Sequence, residues 1–111
     1  MRSFLLLATF AMMAATPAAA VTFGELLAWC APADKGGRPA LCEGYLESEL
    51  GLLASPDPML HGDNPACVPA GEDRRQIIGL MRDYARHHPE SRDLDGVDGL
   101  GLALTGSFPC R

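Results

Sequence analysis

Thr22-Phe23-Gly24-Glu25-Leu26-Leu27-Ala28-Trp29-Cys30 reads as the opening helix of a small bundle. Thr22 suits the N-cap, and Glu25, three residues on, can reach back to the cap amide, which together make a capping box. Phe23, Leu26, Leu27 and Cys30 then fall at i, i+3, i+4 and i+7, one apolar stripe on a helix of 3.6 residues per turn. Pro32 and Gly36-Gly37 end that helix in a loop. Pro39 fits the first turn of a second helix, which runs to about Leu53 with Cys42, Leu46, Leu50 and Leu53 inward and Tyr45 beside them. Ser55-Pro56-Asp57-Pro58 then stops the helical pattern, since proline lacks the amide hydrogen that a helix interior needs.

Beyond this stop, Ser55 to Pro69 is the longest irregular stretch, rich in Pro, Gly and Asp. Loops of this length in small domains often carry function, although an exposed connection held at Cys67 accounts for the same composition. A third helix is expected from near Gly71, with Glu72 and Asp73 at its positive end and His87 and His88 in its last turn, both favourable to the helix dipole. Ile77, Leu80, Met81, Tyr84 and His88 define its inward stripe, and Pro89 ends it. A fourth helix, from an N-cap at Ser91 to Thr105, keeps Leu94, Val97, Gly101 and Leu104 in register. Gly96, Gly99 and Gly101 weaken that assignment, each costing ~1 kcal/mol relative to Ala. No stretch alternates as a strand does. The fold class expected is all-α, a small disulfide-stapled bundle of about four helices in two antiparallel hairpins.

The beginning of the chain has a different character. Arg2 makes a short positive region, Phe4 to Met13 is nearly unbroken apolar sequence, and Ala18-Ala19-Ala20 offers small residues for a signal peptidase. The apolar run is shorter than the ~20 residues a membrane-spanning helix needs, so residues 1–20 read as a cleaved signal peptide and residues 21–111 as one domain. The exported part is expected in the periplasm, with no membrane association after the signal is removed.

Losing Arg2 leaves the exported domain one unit more negative than the −5 of the whole sequence. That balance argues against nucleic acid and anionic membrane surfaces as partners. A domain of this size buries a limited share of its surface and calls for extra stabilisation. Four cysteines, Cys30, Cys42, Cys67 and Cys110, can supply it as two disulfides in an oxidising compartment. No C-x-x-C pair is present, so zinc is the poorer use of them. Cys30 ends helix one and Cys42 begins helix two, while Cys67 precedes helix three and Cys110 follows helix four. Hairpin geometry therefore favours Cys30–Cys42 and Cys67–Cys110 among the three connectivities that four cysteines permit.

No group of residues in the sequence has the spacing of a catalytic set. His87 and His88 are adjacent on a helix and point about 100° apart, so they share one ion poorly, and His61 lies elsewhere. The run Asp93 to Gly99 resembles a calcium loop, but Val97 and Leu104 stand where ligand oxygens are required. Ser48, Ser55, Ser91 and Ser107 lie in no nucleophile-elbow or Ser-x-x-Lys context. The carboxylate pairs Glu47/Glu49 and Glu72/Asp73 carry no pocket signal. The expectation is a protein that is not an enzyme and holds no cofactor or metal.

Cys42-Glu43-Gly44-Tyr45, Cys67-Val68-Pro69-Ala70-Gly71, Gln76-Ile77, Tyr84 with His88-Pro89-Glu90, and Phe108-Pro109-Cys110 together resemble the Rap/Tai family of type VI secretion immunity proteins. The resemblance runs from Phe23 to Cys110. It departs from the family pattern at Ser48 and Gly51, where a glycine and an aspartate are usual, and in the glycine-rich last helix. It implies a periplasmic, all-helical protein, often a homodimer, that binds a peptidoglycan amidase effector and plugs its cleft without an active site of its own. Loop length and exposed arginines direct attention, for that contact, to His61, Asp63 and Asn64 and to Arg74, Arg75, Arg82 and Arg86 on helix three. A small helical acid-stress chaperone is the alternative from another class, given the many titratable acids and three histidines. A structural or assembly factor with no toxin partner is a third.

Overall fold

The computed structural model describes residues 20–110. The signal-peptide expectation for residues 1–20 therefore lies almost wholly outside the described residues. Five helices follow in order: α1 (Phe23–Trp29), α2 (Pro39–Leu53), α3 (Pro58–His61), α4 (Arg74–His87) and α5 (Gly96–Thr105). Short 3-10 turns at Ala33–Lys35 and Pro89–Asp93 link α1 to α2 and α4 to α5. No strand occurs among the described residues; two isolated antiparallel bridges, Thr22 with Asp95 and Ala66 with Pro109, tie the loops together. The all-helical, disulfide-stapled class expected from sequence is the one observed.

Local chemistry explains the boundaries. Thr22 caps α1 by accepting the Glu25 amide at 3.1 Å, and Pro39 opens α2 at its first position. Both disulfides form as hairpin geometry favours, Cys30–Cys42 and Cys67–Cys110. α4 begins at Arg74 rather than near Gly71, because Gly71 takes a φ of +84°, a left-handed conformation that a helix cannot include. Asp73 is the N-cap instead, accepting the Arg75 amide at 2.8 Å.

The core gathers Phe23 and Leu26 of α1, Leu46 of α2, Ile77 and Met81 of α4, and Leu100 and Leu104 of α5, each with no more than a trace of exposure. Burying side chains of this kind contributes about 1.5–3 kcal/mol apiece. The inward positions read for α2 are all buried. On α4 the stripe differs: Ala85 is buried, whereas His88 is exposed. His88 is the C-cap at φ −131°, so the helical register ends before it, and its ring stacks on Tyr84 at 4.4 Å.

The last helix departs most from expectation. Ser91 does not cap it; it is buried in the 3-10 turn, and its hydroxyl donates to the His88 carbonyl at 2.6 Å. α5 starts five residues later than that serine, at Gly96, with Asp95 accepting from Val97. Leu94, expected inside, is exposed. The glycines are contact surface, not mere weakness. A Cβ on Gly99 would lie 2.3 Å from the Phe23 ring, and one on Gly96 would lie 2.5 Å from the Tyr45 hydroxyl. The propensity cost of these glycines is offset by the close approach of α5 to α1 and α2.

Candidate functional site

The Ser55–Pro69 segment is less irregular than its composition suggests. Ser55 accepts the Asp57 amide at 3.2 Å, and Asp57 accepts the Met59 amide at 3.0 Å, so two successive side-chain caps start the single turn of α3. Gly62, at φ +56°, ends it. From there the chain returns along the C-terminal segment. Cys67 donates its amide to the Phe108 carbonyl at 2.8 Å, Val68 donates to Leu53 at 3.2 Å, and Thr105 donates its hydroxyl to the Pro65 carbonyl at 3.1 Å.

This bracing leaves a projecting apolar pair. Met59 is 87% and Leu60 49% exposed, which makes Met59 the most exposed of the large apolar side chains described. On the neighbouring end of α2, Leu52 is also exposed at 39%. Sequence reading passed over Met59 and Leu60; the signal was an apolar dipeptide isolated between Pro58 and Gly62 in otherwise polar loop. Behind α3 lies a surface hollow of about 620 Å³, bordered by Leu53, Ser55, His61, Asn64, Val68 and the Cys67–Cys110 disulfide.

The seven residues singled out from sequence are placed in different ways. His61 turns inward, with Nε2 2.6 Å from the Ser55 carbonyl and Nδ1 3.6 Å from Cys67 Sγ. Asn64 is also engaged: its Oδ1 accepts the Ala66 amide at 3.0 Å, and its Nδ2 reaches the Val97 carbonyl at 3.5 Å. Asp63 faces solvent. On α4, Arg74 pairs with Glu43 at 3.2 Å, Arg82 donates to the Cys30 carbonyl at 2.7 Å, and Arg86 pairs with Asp83 at 2.5 Å. Arg75 is exposed and borders a shallow hollow with Ile78 and Arg82. The structure thus groups His61, Asp63 and Asn64 in one loop and leaves the arginines along a separate helix.

Two titratable groups are displaced from their ordinary values, both between α2 and the start of α5. Burial pushes the Tyr45 hydroxyl up to about 12, with Glu49, Asp95 and Asp98 adding to the effect. Burial likewise raises Glu49, assisted by Asp95. His87 and His88 turn to different partners, the Asp83 carbonyl and Glu90, and so share no ligand position. His61, Cys67 and Cys110 hold their donor atoms within 4.8 Å of one another, but both sulfurs are committed to the disulfide. No described helix is long and apolar enough to cross a membrane.

The described residues thus make a small all-helical domain, closed by two disulfides and carrying a braced apolar loop. Residues 22–110 match the family of Rap1a immunity proteins, and the chain belongs to that family. No curated protein matches the sequence. No solved structure matches it either.

Proposed function

We propose that the chain is exported by cleavage after Ala20 and serves in the periplasm as an immunity protein that binds and sterically blocks a peptidoglycan amidase effector delivered by type VI secretion. Membership of the Rap1a family over residues 22–110 is the observation that carries this reading. In it the protein needs no catalytic residue, because occupying the effector's substrate cleft suffices. The contact centres on the α3 loop, where Met59 and Leu60 form the apolar anchor and Asp63 stands beside them. His61 and Asn64 serve by holding the loop. Arg75 extends the surface along α4, and Arg74, Arg82 and Arg86 add the donors that their internal bonds leave over. The homodimer implied by the family resemblance is part of the proposal, and sedimentation at micromolar concentration tests it.

The central experiment measures protection of cells that express such an amidase in the periplasm. Full-length protein is expected to restore growth and a form lacking residues 1–20 is not. In calorimetry, the double substitution Met59→Asp and Leu60→Asp is expected to weaken effector binding by about 2 kcal/mol or more, roughly 30-fold. Because both side chains are exposed, its effect on stability stays within about 0.5 kcal/mol. Binding that is unchanged by the pair of aspartates would remove α3 from the contact.

A further inference from the structure

We propose that opening the Cys67–Cys110 disulfide creates a binding site for a thiophilic d10 divalent cation such as Zn²⁺, with Cys67, Cys110 and His61 as its ligands. The first support is the tautomer of His61. The Ser55 carbonyl only accepts hydrogen bonds, so at 2.6 Å the Nε2 atom is the donor, and in the neutral ring Nδ1 is then the nitrogen with a lone pair. That lone pair faces Cys67 Sγ at 3.6 Å, and a disulfide sulfur has no hydrogen to offer it. A carbonyl that fixes the far nitrogen of an imidazole is the usual support of a metal-binding histidine.

Distance supports the same reading. Zinc takes sulfur at about 2.3 Å and nitrogen at about 2.0–2.1 Å in tetrahedral geometry, which separates the two donors by about 3.5 Å. The Nδ1–Sγ distance of 3.6 Å already meets that requirement for Cys67, and the two sulfurs reach the spacing of about 3.8 Å that tetrahedral zinc needs by moving apart once the disulfide opens. The two cysteines are also held together by bonds other than their disulfide. Ala66 and Pro109 form a backbone bridge, the Cys67 amide donates to Phe108, and Thr105 donates to Pro65. Cys67 is half-buried and Cys110 exposed, on the rim of the hollow behind α3, so both reductant and cation have access. Cys30–Cys42, by contrast, is buried and borders no histidine cluster among the described residues.

The chemistry balances in two steps. A dithiol reductant transfers two electrons and two protons to the disulfide, giving two cysteine thiols and the reductant's own disulfide. The cation then displaces both thiol protons to solvent and binds two thiolates and the neutral imidazole, leaving a fourth position for water.

The test treats the oxidised, folded protein with a dithiol, removes the excess, and confirms by alkylation and mass spectrometry which cysteines are free. Co²⁺ serves as the spectroscopic probe and Zn²⁺ as competitor. One Co²⁺ per chain is expected to bind with thiolate charge-transfer absorption, and Zn²⁺ is expected to displace it. The oxidised protein is expected to show no such band. His61→Ala, purified in oxidised form with both disulfides verified by mass spectrometry, should bind about tenfold or more weakly after reduction. Cys30→Ala with Cys42→Ala should keep the site. Absence of the band, unchanged affinity in His61→Ala, or loss of helical circular dichroism on reduction would each overturn the proposal.

Discussion

Cys30–Cys42 and Cys67–Cys110 have almost the same Cα separation, 5.0 and 4.9 Å, yet they lie in different surroundings. The first closes 12 residues between α1 and α2, with both cysteines buried in the core. The second closes 43 residues, stands partly in solvent, and touches His61 at the back of the loop that carries Met59 and Leu60. One bond is part of the packing. The other fastens a surface segment with little core of its own, since α3 has a single turn and none of Met59, Leu60 and His61 is fully buried. A projecting loop and a rigid core are thus stabilised by the same chemistry used in two ways.

This contrast can be tested by removing each bond. In the loop-closure model, a link spanning 43 residues constrains the unfolded chain by about 4 kcal/mol, and one spanning 12 residues by about 3 kcal/mol. Cys67→Ala with Cys110→Ala is therefore expected to lower unfolding free energy more than Cys30→Ala with Cys42→Ala, as read by urea denaturation. The reverse order would mean that packing around the buried pair outweighs loop length.

Within the rigid core, Gly99 of α5 lies against Phe23 of α1. Gly99→Ala places a methyl group within the van der Waals radius of a fully buried ring, which should cost about 1–3 kcal/mol. An exposed glycine such as Gly79, which has open space around its Cβ position, should instead gain stability as alanine by up to about 1 kcal/mol. Equal effects at the two positions, compared by thermal denaturation, would break the assignment of α5 as a close-packed helix.

The smallest effect concerns Glu49, near the joint between α2 and α5. Its folded-state pKa is raised by burial and then by Asp95, so its ionised form is disfavoured in the folded protein. The stability associated with the protonated form is fully present below the unfolded carboxylate pKa and is lost as pH rises through the raised folded value. Glu49→Gln should accordingly raise the melting temperature at pH 7 by about 2 °C or less, and the difference should vanish in acid. A gain that persists unchanged in acid would show that its charge is not the cause.

Much of the architecture was legible because it depends on neighbours in sequence. Thr22 and Glu25 mark the start of α1, Pro39 marks that of α2, and Cys30 and Cys42 lie at the facing ends of those helices, where a hairpin brings them together. Less of the candidate site was legible. Ser55 and Asp57 spend their side chains on starting α3, and the one local cue, an apolar pair isolated between Pro58 and Gly62, does not fix the direction in which Met59 then points. The arginines of α4 are a plain basic face in sequence, but Arg82 reaches across to the Cys30 carbonyl and Arg74 to Glu43 on α2. Such pairings join residues 52 and 31 positions apart and have no local signature.

By itself, the sequence determined helix type, the order of the four longer helices, the need for two disulfides and membership of an immunity family, because periodicity, caps and motif spacing are local or linear properties. Only the tertiary structure decided what the α5 glycines do and which side of α3 meets solvent. Those outcomes depend on the distance between chains far apart in sequence: Gly99 is small because Phe23 lies on it, and His61 points inward because Ser55 and Cys67 are there to receive it.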